Sequence, residues 1–236
     1  QPIALGGRII EDLDYLVLDE ADKMLSMGFK DEMNTIFKMM PLTKQNLLFS
    51  ATLSTDVQAV NQMILHRPLV IQIDVEETDL TLINQIAYSV YADKKGPLLR
   101  KLIMEKEMDQ VLVFCSSKHQ ADVVVRKLTK AKINAMAIHG DKSQGARTDA
   151  LKQFKNGTVK VLVATDLIAR GIDIEFLPFV INYELPRSPK DYIHRIGRTG
   201  RADNPGTAIS LITPEDEHHF KVIQKKMKIL VDRIEG

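Results

Sequence analysis

The chain has 236 residues, 44% hydrophobic and 27% charged, with a formal net charge of +1 and one cysteine, Cys115. This globular composition excludes a disordered chain, and near-neutral charge leaves any nucleic-acid affinity to local clusters. One thiol excludes an internal disulfide and fits a reducing compartment; without a membrane-length apolar run or a signal-peptide layout, the default is a soluble cytosolic protein with no membrane contact.

Residues 1–10 hold a Gly6-Gly7 pair and little else. Tyr15-Leu16-Val17-Leu18 is a continuous apolar run, read as a strand buried on both faces in a parallel sheet. Asp19-Glu20-Ala21-Asp22 follows at once, at the carboxyl edge where α/β sheets place their ligands. One carboxylate there can hold a nucleotide's Mg²⁺ through water while a neighbour orients or deprotonates the attacking water. The same four residues also suit a plain acidic helix start. Lys23 to Met40 reads as one helix, with Met24, Leu25, Phe29, Met33, Ile36, Phe37 and Met40 on a buried face, ended by Pro41. Leu47-Leu48-Phe49 is a short strand. The Ser50-Ala51-Thr52 hydroxyls after it can bond a phosphate or a carboxylate, or cap the next helix. Ser54 to Leu65 reads as that helix, and Leu69 to Ile73 as a further strand.

The acidic stretch Asp74 to Thr81 breaks this rhythm and reads as a linker. The expected division is residues 1–75, a linker at 76–82, and a second domain at 83–236. Strands are expected at 86–91, 110–115, 134–138, 159–164, 178–183 and 206–212, and helices at 95–106, 118–131, 143–155, 188–195 and 214–228. Such alternation means βαβ units and a parallel sheet covered on both faces. Val111 to Phe114 delivers Cys115-Ser116-Ser117 to the sheet edge, with Cys115 buried and inert. Val159 to Ala164 delivers Thr165-Asp166 in the same way.

Gly140-Asp141-Lys142-Ser143 only superficially resembles a phosphate loop. Its lysine does not follow a glycine, and Ala135 stands where the upstream glycine belongs. No Gly-x-x-x-x-Gly-Lys-Ser/Thr run occurs in the chain. Ser143 is the expected N-cap of the next helix, with Gln144 and Arg147 on its first turn, suited to a backbone phosphate. Asp173, in Arg170-Gly171-Ile172-Asp173, can accept from a ribose hydroxyl or cap its loop. His218-His219 has too few neighbouring ligands for a metal. Phe220 to Ile234 reads as an amphipathic basic helix.

His194-Arg195-Ile196-Gly197-Arg198-Thr199-Gly200-Arg201 carries three arginines and a histidine. Its glycines let backbone approach a ligand closely. Arg198 and Arg201, three apart, would share one side of a helical turn. The run is either a polyphosphate clamp or a solvated basic turn.

The order of these runs is more specific than any one of them. From Leu13 onward, Asp-Glu-Ala-Asp, Ser-Ala-Thr, Val-Phe-Cys-Ser-Ser-Lys, His-Gly-Asp with Gln-x-x-Arg, Ala-Thr-Asp with Arg-Gly-Ile-Asp, and His-Arg-Ile-Gly-Arg-Thr-Gly-Arg closely resemble the DEAD-box RNA helicases. His139 to Arg201 is most similar to the bacterial RhlE-type subgroup. The resemblance implies RecA-like α/β domains, each a parallel sheet with helices on both faces, binding ATP and Mg²⁺ in the cleft between them and RNA across both. It implies that Asp19 holds Mg²⁺ through water and Glu20 activates the attacking water. Asp22, Ser50, Thr52 and His194 would link the ATP and RNA states. Gly171 and Asp173 would bind the nucleotide, Asp173 at its ribose, and Arg198 and Arg201 would be arginine fingers. Gly140, Gln144, Arg147, Thr165 and Asp166 would touch the RNA backbone, with little sequence preference.

Family members carry an adenine-recognition motif and a phosphate loop ahead of the Asp-Glu-Ala-Asp run. This sequence has neither there, so the expectation is one complete domain preceded by the carboxyl half of another, without useful ATPase activity alone. A non-catalytic RNA-binding module and a DNA translocase of the same superfamily are the competing classes.

Overall fold

The structure, a computed structural model, describes residues 13–72, 80–169, 174, 177–200 and 205–236. The chain divides into two compact units, Gln1–Asp74 and Val75–Gly236.

In the first unit, β1 (Tyr15–Leu18) pairs in parallel with β2 (Gln45–Leu48), Leu18 opposite Leu48. Helices α1 (Ala21–Ser26) and α2 (Lys30–Lys38) connect them, and α3 (Thr55–Ile64) follows. The core is small: Leu16, Leu18, Met33, Val60 and Ile64. Three expectations fail here. The helix read over Lys23 to Met40 is broken between α1 and α2, where Gly28 takes φ 87°, a backbone region that favours glycine. β1 is buried on one face only, leaving Tyr15 64% and Val17 56% exposed. Leu69 to Gln72 form no strand, and Leu69, Val70 and Ile71 are exposed. The cap of α3 is Ser54, whose Oγ accepts from Val57 N–H at 3.3 Å, and not the Ser50 or Thr52 hydroxyl.

The second unit is a parallel sheet of seven described strands in the order β5-β6-β4-β7-β8-β3-β9. These are β3 (Ile83–Ser89), β4 (Val111–Cys115), β5 (Ala135–Ile138), β6 (Val161–Thr165), β7 (Phe179–Asn182), β8 (Gly206–Ile212) and β9 (Asp232–Glu235). Central β4 and β6 are buried at every residue, as continuous apolar runs require. Side-chain alternation divides the core into two faces. Helices α4 (Lys95–Glu105) and α5 (Lys118–Lys130) cover one, with Val111, Val113, Val161, Val163, Ile181 and Ile209 beneath them. On the other, α6 (Gln144–Lys155) packs on Leu112, Leu162 and Val180, while α8 (Pro189–Ile196) and α9 (Glu217–Met227) pack on Ala87, Ala208 and Ile212. The short α7 (Asp166–Ala169) leaves β6 directly.

Of the expected linker, Leu80–Leu82 is a 3₁₀ turn leading into β3, and 76–79 lie outside the described residues. The helix read over Phe220 to Ile234 ends at Met227. Lys228 takes φ 57°, Gln224 Oε1 accepts from Val231 N–H at 2.9 Å, and the chain turns back as β9 beside β3. Among the described residues no helix is long and apolar enough to cross a membrane.

Candidate functional site

Parallel strands deliver all their carboxyl ends to one edge, so each unit has a single edge rich in polar groups. In the first unit, Phe49 N–H donates to Leu18 O at 2.7 Å and Ala21 N–H to Phe49 O at 3.1 Å, extending the pairing past the strand ends. This fixes Asp19 and Glu20 beside Ser50 and Thr52. Glu20 sits at φ 49°, ψ 44°, uncommon for a non-glycine residue, and its N–H donates to Asp19 Oδ1 at 2.8 Å. The left-handed turn stops the strand abruptly and starts α1, leaving both carboxylates exposed. Thr52 Oγ1 donates to Asp22 Oδ2 at 3.1 Å, and Ser50 Oγ donates to Thr52 O at 2.7 Å. Asp22, Ser50 and Thr52 are therefore one hydrogen-bonded cluster beside the two carboxylates. Among the described residues no group of three or more His, Cys, Asp or Glu side chains could cage a metal. The donor set at Asp19, one exposed carboxylate, fits Mg²⁺ carried largely by phosphates and water.

In the second unit the organising residue is one that sequence reasoning left without a role. Arg195 is 2% exposed despite its charge. Its Nε donates to Asp166 Oδ1 at 2.6 Å and its Nη2 to Asp166 Oδ2 at 2.9 Å, a bidentate pair. Nη1 donates to Asn182 Oδ1 at 3.0 Å and to Glu184 O at 2.6 Å. The guanidinium carbon lies 4.9 Å from the Phe114 ring centroid. One side chain thus ties α8 to the ends of β4, β6 and β7. Asp166, expected to touch the RNA backbone, has both carboxylate oxygens engaged by this pair. The available signal was Arg195's position beside His194, at the end of the helix expected over 188–195; the structure caps that helix with Ser188.

Arg198 follows α8 on a rigid mount. Leu177 N–H donates to Arg198 O at 3.0 Å, and Thr199 Oγ1 donates to Leu177 O. Gly200 has φ 66°, and a Cβ there would meet Ile83 Cγ1 at 2.6 Å and Leu82 O at 2.9 Å. Its bare backbone serves internal packing, whereas ligand approach was the expected use. His194, Arg198 and Asp166 line one narrow cleft, with Phe114 and Ala169. Gly171, Asp173 and Arg201 lie outside the described residues.

The loop after β5 is built as expected around Ser143, whose Oγ accepts from Ala146 N–H at 3.2 Å. Arg147 turns back into the loop, donating from Nη2 to Gly140 O at 2.9 Å and from Nε to Lys142 O at 3.0 Å. Gln144 and Gly140 are exposed, and Thr165 is buried at the end of β6. Lys142 Nζ pairs with Asp122 on α5 at 2.9 Å. Burial pushes the Asp122 carboxyl up, but Lys142 and His139 together outweigh it and hold the group below the usual aspartate range. His139, 2% exposed, places Nε2 3.1 Å from Asp122 Oδ1 without hydrogen-bond geometry. Cys115 is buried, and burial pushes its thiol far up, as an inert cysteine requires.

Comparison with known proteins decides the family. The model for the helicase conserved C-terminal domain matches residues 94–203, and that for DEAD/DEAH box helicases matches residues 4–60. The structure of Escherichia coli DEAD-box protein SrmB bound to regulator of ribonuclease activity A is 36% identical, with a TM-score of 0.62 over 64% of this chain and 90% of that one. The chain belongs to the DEAD-box helicase family. ATP-dependent RNA helicase CshA of Listeria monocytogenes is 38% identical over 219 residues, 93% of this chain and 42% of that protein. The chain thus spans less than half of that DEAD-box relative. Saccharomyces cerevisiae Dbp5, solved with RNA and ADP BeF3, is 30% identical with a TM-score of 0.79, covering 96% of this chain and 60% of that one. The RecA-like α/β fold expected from the motifs is the fold this DEAD-box chain has.

Proposed function

We propose that this chain carries the ATP-hydrolysing carboxylates and the RNA-contacting domain of an ATP-dependent RNA helicase, remodelling short RNA duplexes with little sequence preference. The observation that carries this reading is the exposed Asp19-Glu20 pair, set by a left-handed turn at a strand end and bonded beside Asp22, Ser50 and Thr52. Mg²⁺, bound with ATP, would shield charge on the phosphates. Asp19 would hold that ion. Glu20 orients the attacking water and takes its proton. Asp22, Ser50, Thr52 and His194 relay between nucleotide and RNA states. Arg198 and Arg201 stabilise charge developing on the phosphoryl oxygens, a role worth roughly 10³–10⁵-fold in other nucleotide hydrolases. Gly171 and Asp173 hold the nucleotide, Asp173 at its ribose.

RNA backbone contacts fall to Gly140, Gln144, Arg147, Thr165 and Asp166. With Arg147 and Asp166 engaged internally, these two act mainly by shaping the backbone they sit on, and Arg147 retains further N–H donors for a phosphate. The placement is RhlE-like within the family. The 236 residues contain no phosphate loop, so this polypeptide alone should not turn over ATP usefully. RNA binding by the chain itself tests the reading. Affinity should fall on 2′-deoxy substitution and with rising salt, since shape, phosphates and 2′-hydroxyls are read. Equal affinity for the DNA version would favour a DNA translocase.

A further inference from the structure

Helices α4 and α5 leave a pocket of about 350 Å³ between them, within the roughly 300–1,000 Å³ range of real ligand sites. Its floor is apolar: Leu99, Val124 and Leu128 are each at most 2% exposed. Tyr183 closes the base, and burial pushes its phenol up to about 12, so it stays neutral at any working pH. The mouth is cationic. Arg100 from α4 and Lys127 and Lys130 from α5 stand around it, all exposed. Among the described residues no carboxylate pairs with any of the three. Asp93, the acid on the rim, lies 3.9 Å from Lys94.

Lysines in a helix's last turn suit its dipole, which accounts for Lys127 and Lys130 in part. Arg100, midway along α4, has no such reason. Gly96 faces the mouth: a Cβ there would sit in ordinary contact, 3.6 Å from Lys127 Cδ and 3.9 Å from the Tyr183 hydroxyl, so a larger side chain would reach into the opening. A dry floor under unpaired cations fits an apolar group flanked by carboxylates. A bare phosphate would gain nothing from the floor, and an uncharged side chain nothing from the rim.

We propose that this pocket docks a protein partner through a short acidic segment that buries one aromatic side chain between α4 and α5. Such a pocket is where an interface concentrates its affinity. Helix α8, with His194 and Arg195, packs against the opposite face of the sheet, so a segment seated here leaves the cleft beside Arg198 uncovered. The proposal does not depend on nucleotide chemistry.

The test is fluorescence anisotropy of the full 236-residue chain with the labelled peptide Ser-Glu-Asp-Phe-Glu-Asp-Ser. Saturable binding is expected. It should weaken about tenfold or more when the peptide's phenylalanine becomes alanine, and by a similar factor in Gly96→Leu, which plugs the mouth. Lys127→Glu with Lys130→Glu should abolish most of it. Lys130→Glu alone, at an exposed position, keeps the test decisive should the plug disturb folding. No binding, or binding indifferent to the phenylalanine and to Gly96→Leu, overturns the proposal. A ten-nucleotide oligouridine that needs Lys127 and Lys130 while the peptide does not would make this face a nucleic-acid surface and equally overturn it.

Discussion

The two units end their strands in the same residue types and use them in opposite ways. After β1, Asp19 and Glu20 stay exposed, held by backbone geometry beside the hydrogen-bonded cluster of Asp22, Ser50 and Thr52. After β6 and β7, Asp166 and Asn182 are tied to one buried guanidinium, and Asp166 borders a narrow cleft together with His194 and Arg198. The difference teaches that a strand-end carboxylate is a ligand site only where no arginine from the same unit reaches it. An open edge can perform chemistry; a closed edge sets the position of whatever follows it.

The comparison breaks most visibly at its open end. In a polypeptide carrying a phosphate loop ahead of these residues, Glu20→Gln should lower RNA-stimulated turnover by about 10²–10⁴-fold while nucleotide binding persists. Unchanged turnover would remove Glu20 as the base. At the closed end, Arg195→Met should cost about 3–5 kcal/mol in urea denaturation of the chain, because it strands Asp166 and takes the Arg195 donor from Asn182 Oδ1 and the Glu184 carbonyl. Arg195→Lys should restore part of that, since a point charge cannot reproduce the fork. A loss below about 1 kcal/mol would mean the network is ornamental.

Smaller effects sharpen the contrast. Ser143→Ala should cost about 1 kcal/mol through the lost cap of α6, with RNA affinity falling as the Gly140 loop loosens. Asp122 supplies a pH signature. Its carboxyl lies below the usual value of 3.8, so the folded state holds the proton less tightly than the unfolded one. The stabilisation is therefore full above that value and disappears as pH falls below it through the folded value. Asp122→Asn should flatten this acid limb and cost under about 1 kcal/mol at neutral pH, the side chain being half exposed. An unaltered acid limb would show that the Lys142 pair contributes nothing.

What the sequence made legible was local. Strands β4 and β6 announce themselves as apolar runs, and Ser143 announces the helix it caps. The order of the motifs put Asp19, Thr165 and Asp166 at strand ends and Gln144 at a helix start. What stayed hidden depends on partners far along the chain. Arg195 reads as one more charge in a basic cluster until Asp166, Asn182 and Phe114 are seen around it. Gly200 is spent on Leu82 and Ile83, more than a hundred residues away. β9 is four mostly polar residues whose strand character exists only beside β3. The break at Gly28 is local, but seven apolar residues in helical register masked it.

The most direct test of the central claim is RNA-stimulated phosphate release, compared between a phosphate-loop-bearing polypeptide that includes this sequence and the same polypeptide with Glu20→Gln. The open-edge account predicts turnover in the first and near-background release in the second, with ATP still bound. Equal release from both would contradict it.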